Sequence, residues 1–222
     1  MGGQGASRRR AGRHAQPLSR LLRLGVLWLL LAVAAPLAAQ SGAPPLRDYA
    51  IDVWTSRNGL PHNSLRDIAQ TPEGHLWFAT WEGLVRYNGL DFTVFDRSTR
   101  PGLRDNGIGA LLVDHQGGLW ISDSRGNVSH RGSDGQWRVW EHQPDTPQVL
   151  IQSMQMDSQG RLWLLYEGKG IGYLTPDKGI VYQPPPDLPL AMSFTKMAVD
   201  AQDRIWIGTL DGLVLRDNDG VL

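Results

Sequence analysis

Cysteine is absent from this chain of 222 residues. Its absence rules out disulfide bonds, thiolate metal sites and thiol nucleophiles. The cellular compartment therefore has to be inferred from other features of the sequence. The hydrophobic content of 41% is ordinary for a folded protein and selects no function by itself.

The short motifs that carry much hydrolytic and nucleotide chemistry are also missing. The sequence has no Gly-x-Ser-x-Gly, no His-Glu-x-x-His and no phosphate-binding glycine loop. Asp114, Asp157 and Asp200 recur at equivalent places, but one carboxylate per turn falls short of the six to eight oxygens that calcium takes. We therefore predict no catalytic residue, no metal and no cofactor in this chain.

The formal net charge of zero conceals an uneven distribution. Six of the 22 basic residues, all of them arginines, precede residue 40, where there is no acidic residue. The remaining 16 basic residues are outnumbered by 22 acidic ones. A domain of that sign lacks the electrostatic pattern of a protein that binds nucleic acid or anionic lipid.

The arginine-rich start leads into an apolar run at residues 24–35, followed by Pro36 and small residues to Ala39. The run is shorter than the ~20 residues that a membrane-spanning helix needs. This order of segments is typical of a signal peptide. We predict a signal peptide at residues 1–39 and a linker at 40–48, with an uncleaved membrane anchor as the alternative. Both interpretations place the rest of the chain outside the cytoplasm.

Four tryptophans recur at a fixed interval of 43 residues: Trp77, Trp120, Trp163 and Trp206. A period of 40 to 45 residues matches one four-stranded blade of a β-propeller. One tryptophan per repeat, flanked by leucine, isoleucine and phenylalanine, is what packing between blades requires. We assign these tryptophans to the core rather than to a stacking platform for ligands.

Turn residues divide each repeat into strands. Gly74, Gly117 and Gly160, with Asp203 in the fourth repeat, end short turns that begin with threonine or aspartate just before each tryptophan motif. Hairpin signals such as Asn88-Gly89 follow the third strand. The predicted fold is all-β: a propeller of four-stranded blades at about residues 64–95, 107–140, 150–182 and 193–222, the last one incomplete.

The two ends of the repeat array are irregular. Residues 49–54 show β-rich composition but have no blade of their own, so we predict an outer strand that closes a ring. The fourth repeat stops after the hairpin signal Asp219-Gly220. A four-bladed ring and the N-terminal part of a larger propeller both remain open, and we favour the larger propeller.

Connections from the fourth strand of one blade to the first strand of the next vary while the strands repeat. Loops on a rigid scaffold commonly carry recognition. The expected ligand-binding residues near the central opening are His62, Asn63, Arg104, Asp105, Asn106 and Lys196. The alternative is that these positions are solvated loops without a ligand.

The first repeat has a specific pattern. It is Trp54-Thr55-x-x-x-Gly59-Leu60-Pro61-x-x-Ser64, followed by Ile68-x-x-Thr71-x-x-Gly74-x-Leu76-Trp77-Phe78-x-Thr80-x-x-Gly83-Leu84-x-Arg86-Tyr87-Asn88-Gly89. It resembles the two-component regulator propeller repeats, which occur in periplasmic sensor regions of bacterial signalling proteins. The match is looser in the second and third repeats; in the second, Asp123 replaces the usual threonine or serine.

The resemblance implies a periplasmic sensor of a small molecule or glycan that acts without catalysis of its own. It further implies more blades, a transmembrane helix and a histidine kinase or diguanylate cyclase output downstream, with a homodimer as a possible assembly. A second resemblance, to streptogramin lyases through Asp-x-x-Gly-x-Leu-Trp, leaves an enzymatic propeller as the alternative. A propeller that only binds a protein partner is the third interpretation.

Overall fold

A computed structural model describes residues 50–99, 102–184 and 193–217 of the chain. Its contacts divide the chain after Asp52 into two units, and every repeat belongs to the unit that starts at Val53. The predicted signal peptide at 1–39 and the linker at 40–48 lie outside the described residues and stay predictions. The described residues include no helix that combines the length and the hydropathy of a membrane span.

The described residues form fifteen strands in four antiparallel sheets, three with four strands and one with three. Blade 1 consists of β1 (Leu65–Gln70), β2 (Leu76–Thr80), β3 (Gly83–Tyr87) and β4 (Phe92–Phe95); blade 2 of β5 (Ile108–Val113), β6 (Leu119–Asp123), β7 (Val128–Arg131) and β8 (Trp137–Trp140); blade 3 of β9 (Ile151–Met156), β10 (Leu162–Tyr166), β11 (Gly170–Thr175) and β12 (Gly179–Gln183); and blade 4 of β13 (Phe194–Val199), β14 (Ile205–Thr209) and β15 (Gly212–Arg216).

Strands follow one another in sequence order within every blade. The first strands also contact each other in order, β1 with β5, β5 with β9 and β9 with β13. Sheets that meet through their first strands and present their fourth strands outward form a β-propeller. The predicted fold class is confirmed.

The turn before each tryptophan forms a repeated hydrogen-bonded unit. In blade 3, Asp157 Oδ1 accepts from the amides of Gln159 and Arg161, and Oδ2 accepts from Trp163 Nε1 at 2.8 Å. Asp114 and Asp200 bond the tryptophans of blades 2 and 4 in the same way. These aspartates thus shape the turn and hold the indole ring.

Blade 1 uses a hydroxyl group for the same purpose. Thr71 stands in place of the aspartate, and its Oγ1 accepts from Trp77 Nε1 at 3.2 Å. Gly74 ends this turn at a φ of 87°, a conformation that glycine adopts without strain. In blade 4 the equivalent position is Asp203, which has a φ of 59°.

Three of the four repeated tryptophans lie in a core between their own blade and the next. Trp77 shares a buried cluster with Ile108 and Ile121 of blade 2, and Trp163 shares one with Met197 and Ile207 of blade 4. Trp120 packs in the same way against blade 3. These three tryptophans thus pack between blades.

The structure corrects the strand predicted at residues 49–54. Residues 50–54 belong to no strand, and Tyr49 lies outside the described residues. Trp54 packs its ring against Tyr87 and Phe92 of blade 1, with ring centroids 5.1 and 5.8 Å apart. A strand needs a neighbouring backbone edge, whereas this segment meets aromatic side chains. The closure of a ring by this segment stays a prediction.

Candidate functional site

The candidate site lies at the end of the blades where the variable connections open. Because neighbouring strands run antiparallel, the connection into each first strand and the turn between the second and third strands lie at the same end. In blade 2 the two are bonded directly, since the Ser124 amide donates to the Gly107 carbonyl at 2.8 Å. We call this end the loop face.

Asp105 is the centre of the loop face at blade 2. Its Oδ1 accepts from the Gly107 amide at 2.8 Å and from Ser124 Oγ at 2.9 Å. Its Oδ2 accepts from Arg125 Nε at 2.8 Å. Burial opposes ionisation, but these hydrogen bonds and the guanidinium charge outweigh it, so the pKa of Asp105 is lowered. The carboxylate is therefore ionised at neutral pH and already has three donors.

A second carboxylate, Asp123, adjoins this group. It accepts from the amides of Arg125 and Asn127, both at 2.9 Å, and from Asn127 Nδ2 at 2.7 Å. Burial raises the pKa of Asp123, although the bonds from Asn127 oppose the shift. The nearby charge of Asp105 adds to the increase. The pKa values of these two neighbouring carboxyl groups are thus shifted in opposite directions.

The network continues into the next connection. Asn127 Oδ1 accepts from the His142 amide at 3.0 Å, and His142 Nε2 lies 3.0 Å from Gln148 Nε2. Arg104 Nε is 2.6 Å from Glu141 Oε1. Two successive connections and the turn between them are therefore joined by side chains into one surface.

The six predicted ligand residues fall into three separate groups. Arg104, Asp105 and Asn106 are adjacent on the loop face, where Asn106 Oδ1 accepts from the Arg97 amide at 3.0 Å. In the connection before blade 1, His62 Nδ1 accepts from the Ser64 amide at 3.0 Å and Asn63 Oδ1 from the Ser56 amide at 2.6 Å. Both of these bonds stay within residues 56–64.

Lys196 forms the third group. Its ammonium lies 4.0 Å from Asp67 Oδ2, which also accepts from the Leu111 amide at 2.9 Å. Asp67 therefore links the first strands of blades 1 and 2 and lies close to Lys196 on the first strand of blade 4. The structure thus gives all six predicted residues structural contacts, and their role in ligand binding stays a prediction.

Several residues of the loop face were not predicted from the sequence, namely Ser124, Arg125, Asn127, Glu141 and His142. Part of this group could have been predicted from Asp123. This residue occupies the position of Thr80 in blade 1 and Thr209 in blade 4. Those threonines each accept from one amide in the following turn. The longer carboxylate of Asp123 accepts from two amides and a side chain. Among the described residues, no group of three or more histidine, cysteine, aspartate or glutamate side chains is placed to hold a metal ion.

Residues 59–82 and 102–125 match the family model described as the two component regulator propeller. These two segments therefore resemble two-component regulator propeller repeats. Both segments run from a connection on the loop face through the first strand, the turn and the tryptophan. They therefore contain the parts of blades 1 and 2 that form the inner strands and one core between blades.

Solved structures share the propeller fold with these repeats. The extracellular domain of a hybrid two-component system of B. thetaiotaomicron superposes with a TM-score of 0.58 at 21% identity, over 78% of this chain and 31% of that one. The extracellular domain of a one-component system of the same organism gives 0.58 at 20% identity, over 72% and 22%. The chain therefore spans less than a third of these extracellular domains.

Enzymes are also found among the structures with this fold. Virginiamycin B lyase of Staphylococcus aureus superposes with a TM-score of 0.53 at 14% identity, over 69% of this chain and 55% of the lyase. At these identities the likeness establishes the fold alone. None of the curated proteins matches the chain in sequence.

Proposed function

We propose that this chain is the extracytoplasmic ligand-sensing propeller of a bacterial transmembrane signalling receptor. The observation that carries the proposal is the pair of two-component regulator propeller repeats at residues 59–82 and 102–125. The extracellular domains of two signalling systems share its fold. The arginine-rich and apolar segment before residue 40 supports export.

The proposed mechanism is a shift between two states of the receptor. A small molecule or glycan would bind one arrangement of the propeller better than another, and the difference in affinity would set the output. The chemistry of the output would belong to a histidine kinase or a diguanylate cyclase in the same protein. The propeller would contribute binding without catalysis, and a homodimer would bring two output domains together.

A second candidate function is that of an exported lyase. The observation in its favour is the fold shared with virginiamycin B lyase. One fold hosts both activities, so the choice between them depends on the site and on the rest of the protein.

The natural reading frame after residue 222 distinguishes the two functions. We expect it to encode further blades, a transmembrane segment and a kinase or cyclase domain, which sequencing of the gene from its natural source determines. A stop codon after a few more blades, together with convergent histidine and glutamate side chains and a metal site, would refute the sensing role and support the lyase.

A further inference from the structure

An arginine follows the turn of blades 3 and 4 and completes the repeated hydrogen-bonded unit. Arg161 Nε donates to Asp157 Oδ2 at 2.6 Å, and its guanidinium lies over the Trp163 ring at 5.2 Å from the centroid. Arg204 makes the same contacts with the aspartate and tryptophan of blade 4. In both blades the guanidinium therefore packs over the indole while it bonds the aspartate.

Blade 2 departs from this pattern at Gly118, which occupies the arginine position. His130 on β7 takes over the contact, with Nε2 at 2.8 Å from Asp114 Oδ2 and its ring centroid 4.3 Å from that of Trp120. A Cβ atom at residue 118 would lie 2.3 Å from His130 Nε2. The glycine and the histidine therefore depend on each other, and an arginine cannot occupy this place.

Because Gly118 and His130 replace the arginine, open space remains at the end of blade 2 opposite the loop face. Two cavities of about 390 and 340 Å³ lie there and share the side chains of Gln116, His130 and Arg138. The first extends along the turn between β7 and β8, and Gly118 lines it. The second reaches the neighbouring blade, where Met156 and Pro176 line it. We call the two cavities together the blade 2 groove.

One side of the blade 2 groove is apolar. Trp140 stacks on Trp120 with ring centroids 5.4 Å apart and an interplanar angle of 28°. Both indoles line the second cavity together with Met156 and Pro176. A planar apolar group can pack against this wall of rings and aliphatic atoms.

The other side of the groove carries a positively charged side chain. Arg138 is exposed on β8, and it makes no hydrogen bond or ion pair within the described part of the chain. Asp114, which also lines the groove, is paired with His130, and Asp134 Oδ1 accepts from the Gln136 amide at 3.0 Å. A guanidinium presents paired donors that match a carboxylate. Because these two carboxylates would repel additional negative charge, the groove suits a ligand with a single negative charge.

We propose that the blade 2 groove binds a small organic carboxylate with a planar apolar body. The carboxylate pairs with Arg138, and the apolar body lies against Trp140 and Trp120. Gln116 supplies an amide for a further polar group of the ligand. The site requires only folded blades 2 and 3, and it does not rest on the proposed sensing role.

Benzoate tests this proposal by calorimetric titration of the purified full chain, with benzamide as the uncharged isostere. We expect saturable benzoate binding with a Kd on the order of 1 mM, as befits so small a ligand. Arg138→Gln keeps a polar side chain but removes the charge, and it should weaken benzoate binding at least about tenfold while leaving benzamide unaffected. Arg97→Gln removes another exposed arginine, far from the groove in sequence, and should change nothing.

Two results would overturn the proposal: benzoate affinity that is equal in Arg138→Gln and wild type, or no saturation by about 10 mM ligand. Indole N–H resonances provide a second measurement that does not depend on a variant. Those of Trp120 and Trp140 should shift on addition of benzoate, whereas that of Trp77 should not; shifts confined to other tryptophans would contradict the location. Failure of these assays leaves the test of the sensing role by the reading frame unaffected.

Discussion

Replacing Trp77 with alanine is expected to lower the free energy of unfolding by about 3–5 kcal/mol. The side chain is 1% exposed and belongs to the cluster that joins blade 1 to blade 2. The change removes the indole from this cluster and also removes the donor to Thr71 Oγ1. Denaturant unfolding of the purified chain, followed by far-ultraviolet circular dichroism, measures the loss.

Trp81 is the matched control, because it is a tryptophan of the same blade outside the repeated pattern. It is 40% exposed, and the Arg66 guanidinium lies over its ring at 4.4 Å from the centroid. Trp81→Ala should cost less than about 1.5 kcal/mol. Equal losses for the two variants would show that position in the repeat does not determine the contribution of a tryptophan.

The second large effect is expected at Asp157. Its side chain is fully buried and accepts from the amides of Gln159 and Arg161, from Arg161 Nε and from Trp163 Nε1. Asp157→Ala removes the carboxylate and leaves these donors unpaired, so we expect a loss of about 3–5 kcal/mol in unfolding free energy. Denaturant unfolding measures it as above.

Thr71→Ala tests the same position in blade 1. The hydroxyl holds Trp77 through one neutral hydrogen bond and pairs with no cation, so its loss should cost about 1–2 kcal/mol. A Thr71→Ala loss as large as that of Asp157→Ala would contradict the view that the charged aspartate and arginine strengthen the turn. The loss of unfolding free energy in Asp157→Asn should fall between those in Thr71→Ala and Asp157→Ala, because asparagine keeps an acceptor but lacks the charge.

The period of the tryptophans was enough to predict the fold. A spacing of 43 residues with a turn before each tryptophan leaves room for four strands, and the structure forms them in sequence order. The capping role of the aspartates could also be predicted, because a short carboxylate at the start of a turn reaches the amides ahead of it. The hydrogen bond from each tryptophan to the same residue could not be predicted, since it depends on how far the hairpin twists.

The ends of the repeat array were harder to predict. Composition suggested a strand at residues 49–54, but pairing needs an edge that composition does not supply, and Trp54 packs on rings instead. Trp206 carries the repeat signature yet is only half-buried, because no following blade covers it within the described residues. The same motif can therefore be buried to different extents, depending on which blades lie beside it.

The candidate site was predicted only as a set of loops. Sequence order placed Asp105 on a connection, but its contacts with Ser124 and Arg125 join residues about 20 positions apart. The blade 2 groove was missed because Gly118 and His130 appear unrelated in the sequence. Their relation becomes visible only when the β-ladder sets Trp120 beside His130 and the arginines of the other blades are compared.

We propose that these blades work outside the cytoplasm, and a fusion of alkaline phosphatase after Asp217, produced in a bacterial host, reports the compartment by its activity. Alkaline phosphatase folds only where its disulfides form. We expect activity from the fusion that carries residues 1–217, and loss of that activity when residues 1–39 are removed, because that segment is the predicted signal peptide. If immunoblots show both fusions at equal levels and neither is active, the extracytoplasmic role is contradicted.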